Sequence, residues 1–190
     1  MKLIVSIQKY TLSTTQELAN LAIEGGAIGI RTDRNIKIKG LFIGLIKDYN
    51  FDYYITPTIA YINQVSEWGG LVAIDCRKGN KNLAKSLNYC QTAGINYIAD
   101  IETFEDFGNV YNYKPEMIAT TFSFFETGMP NVELIRNIRT YSDIPIIAEG
   151  GYEQLDLLDK AKIYGADYAC IGGAISGIKS LTEAFCEYVK

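Results

Sequence analysis

Short apolar runs alternate along the chain with longer amphipathic stretches, and the two follow different periods. Near-continuous Ile, Val, Leu and Ala mark Leu3 to Ser6, Ala27 to Ile30, Leu41 to Ile46, Leu71 to Asp75 and Asn96 to Asp100. Met117 to Thr121, Ile144 to Glu149 and Tyr168 to Gly172 continue the series. Runs without polar alternation belong to strands covered on both faces, the environment of a parallel sheet. Between them, apolar residues three and four apart share a face: Leu18, Leu21 and Ala22, then Ile59, Ile62 and Val65, then Leu83, Leu87 and Cys90. Leu134, Ile135 and Ile138 do the same, as do Leu181, Ala184, Phe185, Tyr188 and Val189, and such spacing predicts helices. Thr14 with Glu17, and Ser180 with Glu183, have capping-box spacing. Gly25-Gly26, Gly69-Gly70, Gly94 and Gly165 precede strands where left-handed helix caps are expected.

About eight strands, each followed by a helix or a helix-sized gap, predict an α/β protein of the (β/α)8 barrel type, one domain over residues 1–190. The second unit departs from the pattern. Thr32 to Gly40 is too short and too polar for a full helix and predicts a shortened connection. A doubly wound open sheet is the alternative, but the GxGxxG turn it would carry after the first strand is missing.

Composition narrows the chemistry. The 190 residues are 48% hydrophobic and 21% charged, enough for a sizeable single core. A net charge of −4 disfavours a surface made for nucleic acid or anionic lipid. No run reaches the length of a membrane span, and the start MKLIVSIQKY is too short for a signal core, so a soluble cytoplasmic protein is expected. The chain has 0 His, which excludes serine-type triads, Cys–His pairs and His-ligated zinc within one chain. Its 4 Cys, at 76, 90, 170 and 186, have no CxxC spacing, and Cys76 and Cys170 read as buried thiols. Proton chemistry must use Lys, Asp, Glu, Tyr or Cys.

Barrels of this kind place reacting groups at the carboxyl ends of strands. The runs end at Gln8, Arg31, Lys47, Asp75, Asp100, Thr120-Thr121 and Glu149, with Gly172-Gly173 after the last. Lys47 follows LFIGLI and Glu149 follows IPIIA. Taken alone, each is more simply a surface or structural charge. Together they make an acid/base pair suited to moving a proton on and off carbon, the lysine through a pKa lowered by burial. Gly150-Gly151 and Gly172-Gly173 occupy the two positions where barrels cradle phosphate with backbone N–H groups; ordinary turns are the alternative. Arg31 has the fork of donors for a carboxyl, carbonyl or phosphate oxygen, or for a neighbour such as Asp33. Asp75 and Asp100 are weak evidence for Mg²⁺; hydrogen bonds to hydroxyls, or positioning of Lys47, suit them better. The aromatic run DYNFDYY, residues 48–54, is expected to cover one barrel end, with stacking on a sugar as the lesser alternative.

In this order the segments LIVSIQ, EGGAIGIRT, GLIKDY, YITPT, VAIDC, IADIET, IATTFS, PIIAEG and IGGAIS resemble bacterial N-acetylmannosamine-6-phosphate 2-epimerases over nearly the whole chain. The resemblance implies a phosphosugar barrel that inverts carbon 2 of an acylamino sugar without metal or organic cofactor. It implies Lys47 as catalytic acid/base and Glu149 as its partner, with Gln8, Arg31 and Asp100 on the substrate; Thr120, at the end of its own run, is a further substrate-binding candidate. It also implies a homodimer through the carboxyl-terminal helix; the alternative is that this helix closes its own barrel.

The departures bear on substrate. Members of that family usually follow GGAI with Thr-Arg, an arginine with the look of a phosphate ligand; here Ser176 and Gly177 stand there. Backbone donors, or a lysine such as Lys179, would have to substitute. A changed substrate (an unphosphorylated amino sugar or another small phosphate) and a non-catalytic sugar-phosphate binder are therefore the alternatives. Thiamin-phosphate-synthase-like barrels match fewer strand-end residues.

Overall fold

The structure is a computed structural model, which describes residues 1–123 and 128–177. Eight parallel strands close in chain order into a barrel: β1 (Lys2–Ile7), β2 (Gly29–Thr32), β3 (Leu41–Gly44), β4 (Leu71–Asp75), β5 (Tyr97–Asp100), β6 (Met117–Ala119), β7 (Ile146–Glu149) and β8 (Tyr168–Ile171). Helices α1 (Leu12–Glu24), α2 (Ile59–Ser66), α3 (Leu83–Ala93), α4 (Phe104–Tyr111), α5 (Val132–Tyr141) and α6 (Leu155–Ile163) follow their strands, and α7 (Gly173–Ser176) is a single turn after β8. The barrel expected from the alternation of runs is therefore present. Among the described residues no helix is long and apolar enough to cross a membrane. Lys179, the Ser180/Glu183 spacing and the carboxyl-terminal apolar stripe lie outside the described residues.

Side chains of a strand alternate between faces, and here the alternation builds two layers. Ile4, Ile43, Ala73, Ile98, Ala119, Ile147 and Cys170 form one buried cluster, topped by Leu45, Ile55 and Phe122; these fill the barrel. The residues of opposite parity pack outward. Val5, Ile7 and Ile30 meet Ala19 of α1, while Val72 and Ile74 meet Ile62 and Val65 of α2. Both faces of each strand are thus apolar, which is why the runs carry no polar alternation.

Two local details depart from expectation. Helix α1 begins one turn before the Thr14/Glu17 spacing: Thr11 is the N-cap, its hydroxyl accepting from the Thr14 N–H at 3.3 Å. Leu12, its first residue, is 54% exposed, so that turn adds nothing to the apolar stripe. Gly25 is right-handed, and the left-handed turn falls on Gly26 at φ 100°; Gly69, Gly94 and Gly165 have positive φ as expected.

The second unit has no helix between β2 and β3. The side-chain amide of Gln16 in α1 holds this connection as a neighbouring strand would. Its Nε2 donates to the Lys37 carbonyl at 2.8 Å and its Oε1 accepts from the Lys37 N–H at 3.0 Å. Ile36 beside it is buried against α1 and β2, closing the wall where a helix would lie.

Candidate active site

Strand parity decides which groups reach the cavity at the carboxyl end of the barrel. Two residues beyond the inward Ile98 comes Asp100, which is fully buried beneath the cavity and, against expectation, does not line it, and two beyond Ile147 comes Glu149. Likewise Ile43 leads through Leu45 to Lys47, and Ile4 through Ser6 to Gln8. A cavity of about 250 Å³ there is lined by Ser6, Gln8, Arg31, Lys47, Thr121 and Glu149, with Gly150–Glu153 and Cys170–Gly173 along one side.

The floor of this cavity is an ion cluster. The guanidinium of Arg31 forks onto Asp100, Nη1 to Oδ1 at 2.9 Å and Nη2 to Oδ2 at 2.7 Å, and Nη1 also reaches Glu149 Oε2 at 2.7 Å. Asp33, the other partner considered for Arg31, pairs instead with Arg34 at 3.3 Å. Thr121 donates its hydroxyl to Asp100 Oδ1 at 2.8 Å. Arg31, Asp100 and Glu149 are 1%, 0% and 8% exposed, so their charges must be satisfied by one another. Arg31 Nε is the exception: it is buried without a partner, on a residue that lines the cavity.

One guanidinium serves two carboxylates, and the balance shows in the acidities. Burial weighs against the Arg31 charge, but the Asp100 and Glu149 carboxylates outweigh it and hold that charge firmly in place. Burial pushes the Glu149 carboxyl up to about 7 despite Arg31, and the Asp100 charge adds to the rise. Burial also lowers the Lys47 ammonium pKa, helped by the repulsion of Arg31 and opposed by Glu149. The pair therefore sits between its ordinary extremes, the carboxyl retaining its proton near neutrality and the lysine giving up its own more readily.

Lys47 is not the last residue of a strand. The ladder of β3 stops at Gly44, and the chain continues extended, bridging antiparallel to Ile55. The Thr56 N–H bonds the Ile46 carbonyl at 2.7 Å, and the Asp48 N–H bonds the Tyr54 carbonyl at 3.0 Å. This return, which carries the aromatic run, fixes the backbone under a half-buried Lys47 and brings Tyr54 to the cavity.

Two expectations are corrected. Thr120 does not face the cavity, because it has the parity opposite to the inward Ala119. Its hydroxyl instead clasps the backbone of Glu149, donating to the carbonyl at 3.0 Å and accepting from the N–H at 3.1 Å. Thr121 is the residue that lines the cavity. Asp75 does not position Lys47; it is taken by Arg77, whose Nε and Nη2 donate to its two oxygens at 3.0 and 2.8 Å. Arg77 in turn lies over the Phe122 ring, 4.1 Å from its centre.

The glycine pairs fall where the sequence put them, side by side at one edge of the cavity. Gly150 and Gly151 have φ of 89° and 78°, conformations that side chains other than glycine rarely adopt. The sequence does not single out Ser6, Tyr152, Glu153 or Cys170 as cavity residues, and it offers Thr121 only beside Thr120 at the end of a run. Parity from the apolar positions would have given Ser6, Thr121 and Cys170; nothing in the local pattern marks Tyr152 or Glu153.

A barrel whose strand ends converge on a lysine and a carboxyl of displaced acidity belongs to the (β/α)8 enzymes of acid–base chemistry. The family model NanE, described as "Putative N-acetylmannosamine-6-phosphate epimerase", matches residues 15–190, and the chain belongs to that family. A Caldanaerobacter subterraneus protein named "Putative N-acetylmannosamine-6-phosphate 2-epimerase" is 31% identical, the match covering 92% of this chain and 82% of that protein. A Clostridioides difficile protein of the same name is 29% identical over 91% of this chain and 86% of its own. The solved N-acetylmannosamine-6-phosphate 2-epimerase of Clostridium perfringens superposes with a TM-score of 0.86 at 25% identity, covering 98% of this chain and 93% of that one.

Proposed function

We propose that this protein interconverts N-acetylmannosamine 6-phosphate and N-acetylglucosamine 6-phosphate by removing and returning the proton on carbon 2, with Lys47 and Glu149 as the acid/base pair. Family membership supports the reaction. The observation that carries it is one small cavity walled by Lys47 and Glu149 above the Arg31–Asp100 pair.

The chemistry follows from the sugar and the site. Once the ring opens, the carbon 2 proton stands next to an aldehyde and its removal leaves a delocalised enolate. Neutral Lys47 takes that proton and becomes an ammonium. Protonated Glu149 delivers its proton to the opposite face, collapsing the enolate to the epimeric aldehyde and leaving a carboxylate beside Arg31. Exchange with solvent, or the reverse reaction, resets both groups. Arg31, through its unpartnered Nε, is suited to an oxygen of the substrate on which negative charge grows. Asp100 holds Arg31 in place, Gln8 is the substrate amide or hydroxyl partner, and Gly150, Gly151, Gly172 and Gly173 offer backbone N–H groups to the phosphate.

The test is incubation of either sugar phosphate in D₂O. The reading requires deuterium at carbon 2 of product formed by the wild-type protein. Absence of both exchange and conversion with the two phosphates would overturn it.

A further inference from the structure

The phosphate edge of the cavity raises a question of charge. Arg31 and Lys47 line the reaction cavity, but Arg31 is committed to two carboxylates and Lys47 stands at the reacting carbon in the proposed mechanism. Position 177, beyond the glycine turn, is a glycine. Glu153 makes matters worse for an anion: its Oε1 lies 2.8 Å from where a Cβ on Gly173 would stand. Glu153 thus sets a carboxylate at the glycine turn, and among the described residues neither Arg31 nor Lys47 is free to offset it there.

A third cation stands on the other side. A second cavity, of about 470 Å³, is lined by Lys9 and Tyr10 together with Ser6, Gln8, Gly172, Gly173, Ser176 and Gly177. It shares Ser6, Gln8, Gly172 and Gly173 with the reaction cavity, so the two meet at the glycine turn. Lys9 is exposed, and among the described residues its ammonium has no ion-pair partner.

The backbone at Lys9 is fixed on both sides. Its φ is 70°, a left-handed conformation unfavourable to an ordinary side chain that persists only where the surroundings hold it. Those surroundings are visible. The Lys9 N–H points to Asp33 Oδ2 at 3.4 Å, and the Tyr10 carbonyl accepts from Arg34 Nε at 3.0 Å. The Tyr10 hydroxyl donates to the Ser176 carbonyl. Ser176 Oγ donates to the Ser6 carbonyl at 2.8 Å, and to that of Gly172 at 3.1 Å. The turn after β1 is thus stitched to the glycine turn after β8, with the lysine held at their junction.

We infer that Lys9 is the phosphate-binding cation of this protein, the residue that selects phosphorylated over free amino sugar at the glycine turn formed by Gly172 and Gly173. This deepens the proposed function and rests on it for the identity of the sugar, but the anion site itself can be tested without turnover. A lysine here serves as a point charge reaching from the β1 side, which leaves the β8 side free to carry no cation at position 177.

The experiment compares wild type with Lys9→Asn and Lys9→Arg. Asparagine tolerates a left-handed φ, so lost binding in Lys9→Asn is not a backbone effect, and unchanged thermal melting confirms that the fold is intact. Calorimetric titration with inorganic phosphate should show affinity reduced about ten-fold or more in Lys9→Asn and largely kept in Lys9→Arg. With N-acetylmannosamine 6-phosphate, the loss should fall on KM rather than kcat. Equal phosphate affinity in wild type and Lys9→Asn overturns the inference, and so does wild type that binds no phosphate. Wild type that binds phosphate through Lys9 yet fails to epimerise the sugar phosphates leaves the inference standing and defeats the epimerase reading.

Discussion

The floor and the rim of the cavity are built in opposite ways. On the floor, Arg31, Asp100 and Glu149 come from the carboxyl ends of β2, β5 and β7, are almost wholly buried, and are joined by three bonds of 2.7–2.9 Å. At the rim, Gly150–Glu153 and Gly172–Gly177 lie beyond the strands, half of these residues are glycine, and among the described residues the lysine beside the second turn, Lys9, comes from the turn after β1. Parallel strands fix inward side chains through a ladder that tolerates little change, whereas turns can exchange residues without disturbing the core. The difference teaches that reaction type is anchored in the barrel, while the choice of substrate rests on contacts the barrel does not enforce.

The largest effect expected is on the reaction alone. Lys47→Ala removes the base and should reduce epimerisation by roughly 10²- to 10⁴-fold, with deuterium exchange at carbon 2 lost in parallel. Because Lys47 lies outside the β3 ladder and makes no ion pair among the described residues, melting should move little. A variant that retains exchange would transfer the base role elsewhere.

Arg31 tests the floor as structure. Arg31→Met leaves Asp100 and Glu149 buried without a cation, and breaking such a pair from one side costs about 3–5 kcal/mol. Urea unfolding should show that loss, with the slope unchanged. Stability close to wild type would mean that both carboxylates take up protons at little cost, and the floor would be less rigid than its geometry indicates.

How much of this was readable in the sequence differs between the same two regions. Arg31, Asp100 and Glu149 were visible because apolar runs end abruptly in a charge, and eight such runs in order imply a barrel. Thr120 ends its apolar run like the others, but it lies on the face opposite to Ala119, and only parity counted from Ile118 and Ala119 separates it from Thr121. Lys47 was found, but through a run that continues past the true ladder; the backbone after Gly44 pairs with residues 54–56, a return no local pattern announces. Asp75 is taken by Arg77, a neighbour only two residues along the chain. At the rim, Lys9 has no apolar run to point at it. Its position depends on hydrogen bonds to Asp33, Arg34 and Ser176, and the last of these lies 166 residues from Tyr10.

Glu149 joins stability to activity through its acidity. Its carboxyl moves from an ordinary 4.5 up to about 7 in the folded protein. A raised pKa means that folding favours the protonated form, so the associated stability is full below pH 4.5 and is lost as pH rises through 7. Ionisation should cost on the order of 3 kcal/mol above that window. Glu149→Gln, always neutral, should therefore melt higher than wild type at pH 8 and show little difference at pH 5. In the same variant, exchange through Lys47 should persist in D₂O while inversion fails. Wild-type kcat/KM should rise with pH as Lys47 loses its proton and fall as Glu149 loses its own, and the pH profile of deuterium exchange by Glu149→Gln should lack the falling limb.

The smallest effect concerns how the floor is held from outside the barrel. Thr120 is buried, and its hydroxyl closes a ring with the N–H and carbonyl of Glu149. Thr120→Val keeps the shape and removes both bonds, leaving the Glu149 N–H short of a partner at about 1–3 kcal/mol. The backbone can then relax by a fraction of an ångström, and the carboxyl that must reach one face of the enolate is displaced with it. We expect kcat to drop several-fold with KM nearly unchanged, the falling limb of the pH profile to shift, and Thr120→Ser to restore both. If Thr120→Val leaves kcat and the pH profile as in wild type, the Arg31 fork alone sets the position of Glu149. The floor would then be held only from within the barrel, by the ion cluster that also gives Glu149 its acidity.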